Sequence, residues 1–140
     1  MGGGTTRFEL IESGTIEGLY RKAILINNYD ELFIECEKIQ GVGNLVFQLS
    51  IGTATVTTRF SNFLTDTDKT CNVLCERLTP VKYLNTNKGT GVNVVTDYIT
   101  LTSNATYEDK ISKLVISTGV NANLITSCNY KIYGRNLTNI

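Results

Sequence analysis

A chain of 140 residues with 13 Lys+Arg against 13 Asp+Glu carries no formal net charge, which leaves no basic stripe for nucleic-acid phosphates. It contains no histidine and no tryptophan, and no apolar run approaches the ~20 residues of a membrane-spanning helix. The length sets one domain, and a composition rich in Thr, Asn and Gly with a single proline selects strands and turns over helices.

The opening MGGGTT lacks the basic region and apolar core of a signal peptide, so the expectation is synthesis in the cytoplasm without a secretion signal. It reads as a Gly/Thr-rich arm over 1–6, ahead of one domain over 7–135 and a short tail over 136–140. RFELIE (7–12) alternates Phe8 and Leu10 with Arg7 and Glu9, and a weakly patterned stretch over 15–26 is broken at Gly18. Residues 27–30 form a turn. Leu32, Ile34 and Cys36 then alternate with Phe33, Glu35 and Glu37, a strand with one dry and one wet face. Leu45, Phe47, Leu49 and Ile51 share one face of the next strand, and GVGN (41–44) between the two predicts a hairpin.

Residues 68–78 are the exception. Cys71, Leu74, Cys75 and Leu78 follow the i, i+3, i+4, i+7 spacing of a short amphipathic helix, with Thr67 or Asp68 as cap and Pro80 beyond its end. Short strands follow at VKYL, VNVVTDYITLTS, 113–118 and ITSCNYKIYG, where Cys128, Tyr130 and Ile132 point inward against Asn129, Lys131 and Tyr133. Eight to ten such strands predict an all-β antiparallel sandwich, jelly-roll-like, with at most one or two short helices.

The chemistry is notable for what it omits. Triad-type acyl transfer and thiol hydrolysis both lean on an imidazole, and the chain has none. No phosphate-binding loop is present, and the GVG at 41–43 belongs to a turn. Glu35 and Glu37 sit about 7 Å apart on one strand face, a separation a glycosidase would use, but such a pair reads more simply as a solvated face. Asp66 and Asp68 lack the glycine and distal glutamate of a calcium loop. Cys36, Cys71, Cys75 and Cys128 have neither CxxC spacing nor a histidine, so all four read as free, buried thiols rather than a zinc site. The sequons at Asn104 and Asn136 are of the kind an Asn- and Thr-rich chain produces by chance. No catalytic, cofactor or metal residue is assigned. The tyrosines Tyr20, Tyr29, Tyr83, Tyr98, Tyr107 and Tyr133 suit either protein interfaces or stacking on sugar rings.

Three stretches resemble small β-sandwich or jelly-roll structural proteins of tailed bacteriophages: 27–52, 110–118 and 123–134. A YDxLxI strand (Tyr29, Asp30, Leu32, Ile34) precedes LVFQLS, and a late strand leads to a closing hairpin ending in Lys131, Ile132, Tyr133 and Gly134. Ser127-Cys128-Asn129 stands where that pattern places a glycine. The resemblance implies a non-enzymatic virion component: a capsid decoration, head-fibre or tail accessory protein. It also implies other virion proteins as partners, a homo-oligomer (trimer or ring) and no partnership with nucleic acid or membrane. The competing class is a carbohydrate-binding module with a host glycan as partner.

Overall fold

The computed structural model describes residues 4–5 and 7–138. Its strands are β1 (Gly4–Thr5), β2 (Glu9–Ile16), β3 (Arg21–Tyr29), β4 (Glu31–Gly41), β5 (Gly43–Ile51), β6 (Ala54–Leu64), β7 (Lys69–Thr79), β8 (Lys82–Gly89), β9 (Val92–Thr100), β10 (Ile111–Ser117), β11 (Ile125–Arg135) and β12 (Leu137–Thr138). Six form a sheet in the order β2-β11-β4-β7-β8-β9 and four a second sheet, β3-β10-β5-β6. Neighbours in both sheets are antiparallel. Removing the β8–β9 hairpin leaves two four-stranded layers, β2-β11-β4-β7 and β3-β10-β5-β6, in the jelly-roll order.

The alternation seen in the sequence builds the core. Ile34, Cys36, Val73, Cys75 and Ile132 of the larger sheet and Leu45, Phe47, Leu49, Leu114 and Ile116 of the smaller one are all buried. The Phe47 and Phe60 rings meet edge-on at 6.1 Å, and Phe60 lies 5.1 Å from Phe63.

Four local expectations are corrected. The helix expected over 68–78 is instead strand β7, Lys69–Thr79, and no helix occurs among the described residues. Positions 71 and 75 share a face in either geometry; Val73 and Arg77 decide it by pointing inward with them, while Leu78 is exposed. GVGN is not a hairpin, because β4 and β5 lie in different sheets. The dry faces of these strands are both long, and they bury each other by stacking rather than by lying side by side. Gly43 (φ 93°) makes the corner, and Val42 N donates to Leu124 O. The turn before β4 is also tighter than residues 27–30, since β3 runs to Tyr29 and leaves only Asp30 between the strands. Finally, Ser127-Cys128-Asn129 lies within β11, bulged on both sides of Ser127, with no closing hairpin there.

Asp30 is the hub of one end of the sandwich. Its carboxylate accepts from Arg77 Nη1 (3.0 Å), Lys110 Nζ (2.8 Å) and Leu137 N (2.9 Å), and its own N–H donates to Asn136 Oδ1. Glu31 accepts from Arg77 N (2.7 Å) and Arg135 Nε (2.5 Å). Arg77 Nη2 donates to Pro80 O and Thr106 O, and its guanidinium lies about 5 Å from the rings of Tyr83 and Tyr107. The side chains of Asp30 and Arg77 are wholly buried. The residues after β11 are therefore bonded into the core, and β12 pairs with β1 through Gly4↔Thr138 and Thr5↔Leu137. Gly4–Thr5 of the arm and Leu137–Thr138 of the tail thus meet as a short ribbon, while residues 1–3, 6 and 139–140, the rest of the spans expected as arm and tail, lie outside the described ones. Gly134 completes the junction, since a Cβ there would stand 2.7 Å from the Tyr29 ring.

Asp30→Ala leaves Arg77 buried without its carboxylate and is expected to cost about 3–5 kcal/mol in urea unfolding. Lys110→Met, at a partly exposed partner, should cost far less. Gly134→Ala is expected to cost about 1–3 kcal/mol by crowding Tyr29. Asp30→Ala within about 1 kcal/mol of wild type would remove Asp30 from this role.

Candidate functional site

Side chains at i and i+2 of a strand share a face, so the outward residues of the larger sheet form rows across its strands. One row runs Leu10, Tyr133, Phe33, Leu74 and Thr86. Its aromatic part is extended by Phe8, 6.3 Å from Phe33, which stands 6.0 Å from Tyr133. The Arg135 guanidinium caps Phe8 at 4.1 Å. The rings are tilted to one another by 53° and 37°, the geometry of packed side chains rather than of a flat platform.

The next row is polar. Lys131 sits between Ser13 and Glu35, and Asn129 between Thr15 and Glu37. These six line an open groove of about 240 Å³ on the sheet surface. The structure therefore does bring Glu35 and Glu37 to one face, as the alternation requires. Both open outward, with Glu37 exposed and Lys131 paired directly across from Glu35. A general acid depends on a desolvated carboxyl, and this shallow surface supplies no enclosure for one. Partial desolvation, with Glu35 alongside, raises the Tyr133 hydroxyl above its usual value and joins the two rows.

The remaining tyrosines separate clearly. Tyr83 is fully buried beside Arg77, and burial pushes its hydroxyl well above the ordinary range, so it cannot stack on a ligand. Tyr29 and Tyr107 are half-buried against Gly134 and Arg77. Tyr98 and Tyr20 are exposed, Tyr98 with Lys82 Nζ 4.5 Å from its ring centroid.

All four thiols are free and buried. Cys36 and Cys71 are direct cross-strand partners, and Cys128 reaches Cys36 from β11. The Cys36 contact, then burial, raises Cys128; burial alone dominates at Cys75. At Cys36 the Cys128 contact favours the thiolate, but Cys71 and burial outweigh it and the thiol stays protonated. Among the described residues no cluster of three or more His, Cys, Asp or Glu is arranged to hold a metal ion. Asp68 instead accepts from Gln40 Nε2 at 2.7 Å, and Asp66 is exposed. Asn104 lies in an exposed turn, whereas the Asn136 side chain is committed to Asp30.

Two surfaces escaped the sequence reading. The first is one end of the sandwich, where the β2–β3, β4–β5 and β10–β11 connections are bonded together: Ile125 N to Leu19 O, Val42 N to Leu124 O and Thr118 N to Tyr20 O. This end exposes Leu19, Tyr20, Val42, Val120 and Leu124. The second is β9, the sheet edge, which exposes Val92, Val94, Val95 and Tyr98. The end patch has no signal in one strand's alternation, because its members come from three loops. The β9 signal was present: VNVV has no wet face.

No protein-family model matches the chain, and no curated protein matches it.

Thiol titration is expected to show no fast-reacting group in the native protein and four on unfolding. Because the Cys75 and Cys128 thiols are raised above 9.0 in the fold, unfolded thiols ionise first as pH climbs. Their stabilising contribution is complete below about pH 9 and declines above it. Cys75→Val should flatten that alkaline fall in melting temperature. Fewer than four titratable thiols after unfolding would overturn the assignment.

Proposed function

We propose that the protein is a non-enzymatic structural component of a tailed-bacteriophage virion, a capsid-decoration, head-fibre or tail accessory protein. In this reading it is made in the host cytoplasm and resides in the virion. Its work is to bind other virion proteins and further copies of itself, a closed trimer or ring being the usual solution for such contacts. The observation that carries the reading is the apolar end formed by Leu19, Tyr20, Val42, Val120 and Leu124. Five large apolar side chains gathered on loops, where polar residues are the norm, mark a contact surface. The jelly-roll order and the YDxLxI and KIYG stretches support the phage assignment. These stretches meet at the Asp30 junction, so they are explained as architecture, with no catalytic role needed.

A second reading, host-glycan recognition, draws on the groove of Ser13, Thr15, Asn129, Lys131, Glu35 and Glu37 beside Tyr133. It has the polar groups of a sugar site and one adjoining aromatic edge. The tilt of the Phe8, Phe33 and Tyr133 rings weighs against it.

Sedimentation across a concentration series is expected to show assembly by the wild type. Combined Val42→Ser and Leu124→Ser should weaken that assembly and incorporation into virions about tenfold or more without lowering the melting temperature. A strict monomer that also fails to bind virions would count against the proposal. On a glycan array, reproducible binding lost on Tyr133→Ala would favour the second reading.

A further inference from the structure

The buried thiols Cys36, Cys71 and Cys128 stand on the adjacent strands β4, β7 and β11, and the functional reading uses none of them. Cys36 and Cys71 face each other directly across the β4–β7 ladder. Directly opposed residues of antiparallel strands hold their Cα atoms about 4.5 or 5.5 Å apart, and a disulfide spans about 4.4–6.8 Å. Cys128 is placed differently. β11 meets β4 through Tyr130↔Cys36 and Asn129↔Glu37, which makes Cys128 a diagonal neighbour of Cys36. Such neighbours lie roughly 7–8 Å apart, beyond the bridging range, although the Cys128 thiol still reaches Cys36. Cys75 faces Leu32 and Asn85 and has no thiol across from it.

The pair also lies at a break in the sheet. The β4–β7 ladder runs in register from Leu32↔Cys75 to Cys36↔Cys71 and resumes only at Ile39↔Lys69, with Lys38 left-handed (φ 52°) in the gap. On its other side Cys71 pairs with Gly89, the last residue of β8. A groove of about 390 Å³ opens over this break, with Cys36, Cys71, Glu37, Lys88 and Thr90 in its lining. Opening a strand end beside an interrupted ladder costs less than unfolding the sandwich. Of the two residues Cys71 is the less enclosed, at 4 % exposed against 1 % for Cys36.

We infer that Cys36 and Cys71 are a site of covalent modification, forming a cross-strand disulfide when the protein passes from a reducing to an oxidising medium. The bond forms by exchange with a small-molecule disulfide. Opening of the β4–β7 end exposes Cys71, whose thiolate attacks one sulfur of that disulfide and expels the other as a thiolate. The Cys36 thiolate then attacks the Cys71 sulfur of the mixed disulfide and expels the second small thiolate. The protein gives up two protons and two electrons, and the small disulfide leaves as two thiols. Oxidation stops at one bond, because Cys36 is the thiol that Cys128 reaches and Cys75 faces none. The occasion for the bond rests on the reading of this chain as a virion component: the host cytoplasm keeps thiols reduced, and a released particle meets oxidising surroundings. The bond then ties β4 to β7 and restricts the unfolded chain between them.

Reduced protein held with oxidised glutathione at about pH 8.5, where an exposed thiol is half ionised, is expected to fall from four titratable thiols on unfolding to two. Mass spectrometry of the digested wild type should join Cys36 to Cys71, a readout that needs no variant to fold. The melting temperature should rise by about 5–10 °C and return on reduction. Cys128→Ala should oxidise as the wild type does, and Cys71→Ala should keep its three thiols. Four thiols surviving in the wild type, glutathione retained as a stable mixed disulfide, or a bond between Cys36 and Cys128 overturns the inference and leaves the functional reading standing. A bond that forms in the purified protein but is missing from alkylated virions containing it overturns the assignment to the released particle. Formation of the bond in a protein that enters no virion would overturn the functional reading and keep the chemistry.

Discussion

A carboxylate buried beyond the reach of water must be fully bonded, and Asp30 meets that demand by gathering three distant segments of the chain. Its oxygens take Arg77 from β7, Lys110 from the loop before β10 and the Leu137 amide after β11, while its amide holds Asn136. Glu31 adds Arg135 on the neighbouring position. None of these partners is near Asp30 in sequence, so the charge cannot be satisfied until β7, the loop before β10 and the segment after β11 are all in place around it. A buried ion pair is weak evidence of net stability but a strict condition on geometry. Register among these strands is thereby fixed at one end, where a slip by one residue would turn every core side chain outward.

The opposite end is built on another principle. There the β2–β3, β4–β5 and β10–β11 connections hold one another by backbone bonds while their apolar side chains face outward. One end of the sandwich is consumed by its own wiring, and the other offers apolar area at little conformational cost, because the loops are already braced. The β8–β9 hairpin lies outside the jelly-roll layers and extends the larger sheet sideways.

The inner row of β8 shows the consequence of that extension. Tyr83, Asn85 and Asn87 are buried although two of them are amides, and Tyr83 OH, Asn85 Oδ1 and Asn87 Oδ1 have no hydrogen-bond partner. The smaller sheet ends at β6, whose Phe60 and Phe63 lie against Gly89 of β8. Polar side chains are tolerated there, and Asn87 reaches across to Thr58 to tie the sheets together.

The sequence by itself determined the class of fold, because period-two alternation at 32–36, 45–51 and 128–132 leaves one dry face per strand and two dry faces close on each other. It also put Cys36 and Cys128 on such faces, where both are buried as free thiols. Tertiary structure decided what local spacing leaves open. Residues 71 and 75 align in a helix and in a strand alike, and only the free ladder positions beside β4 made 69–79 a strand. GVGN turns in either direction, and only the facing cores sent β5 to the other sheet. Tyr29, Asp30 and Gly134 were visible as a pattern, but their reason was not: a ring, a buried charge and a missing side chain that meet across a hundred residues. Contacts of that span are set by the closure of the sandwich, which no local stretch of residues encodes.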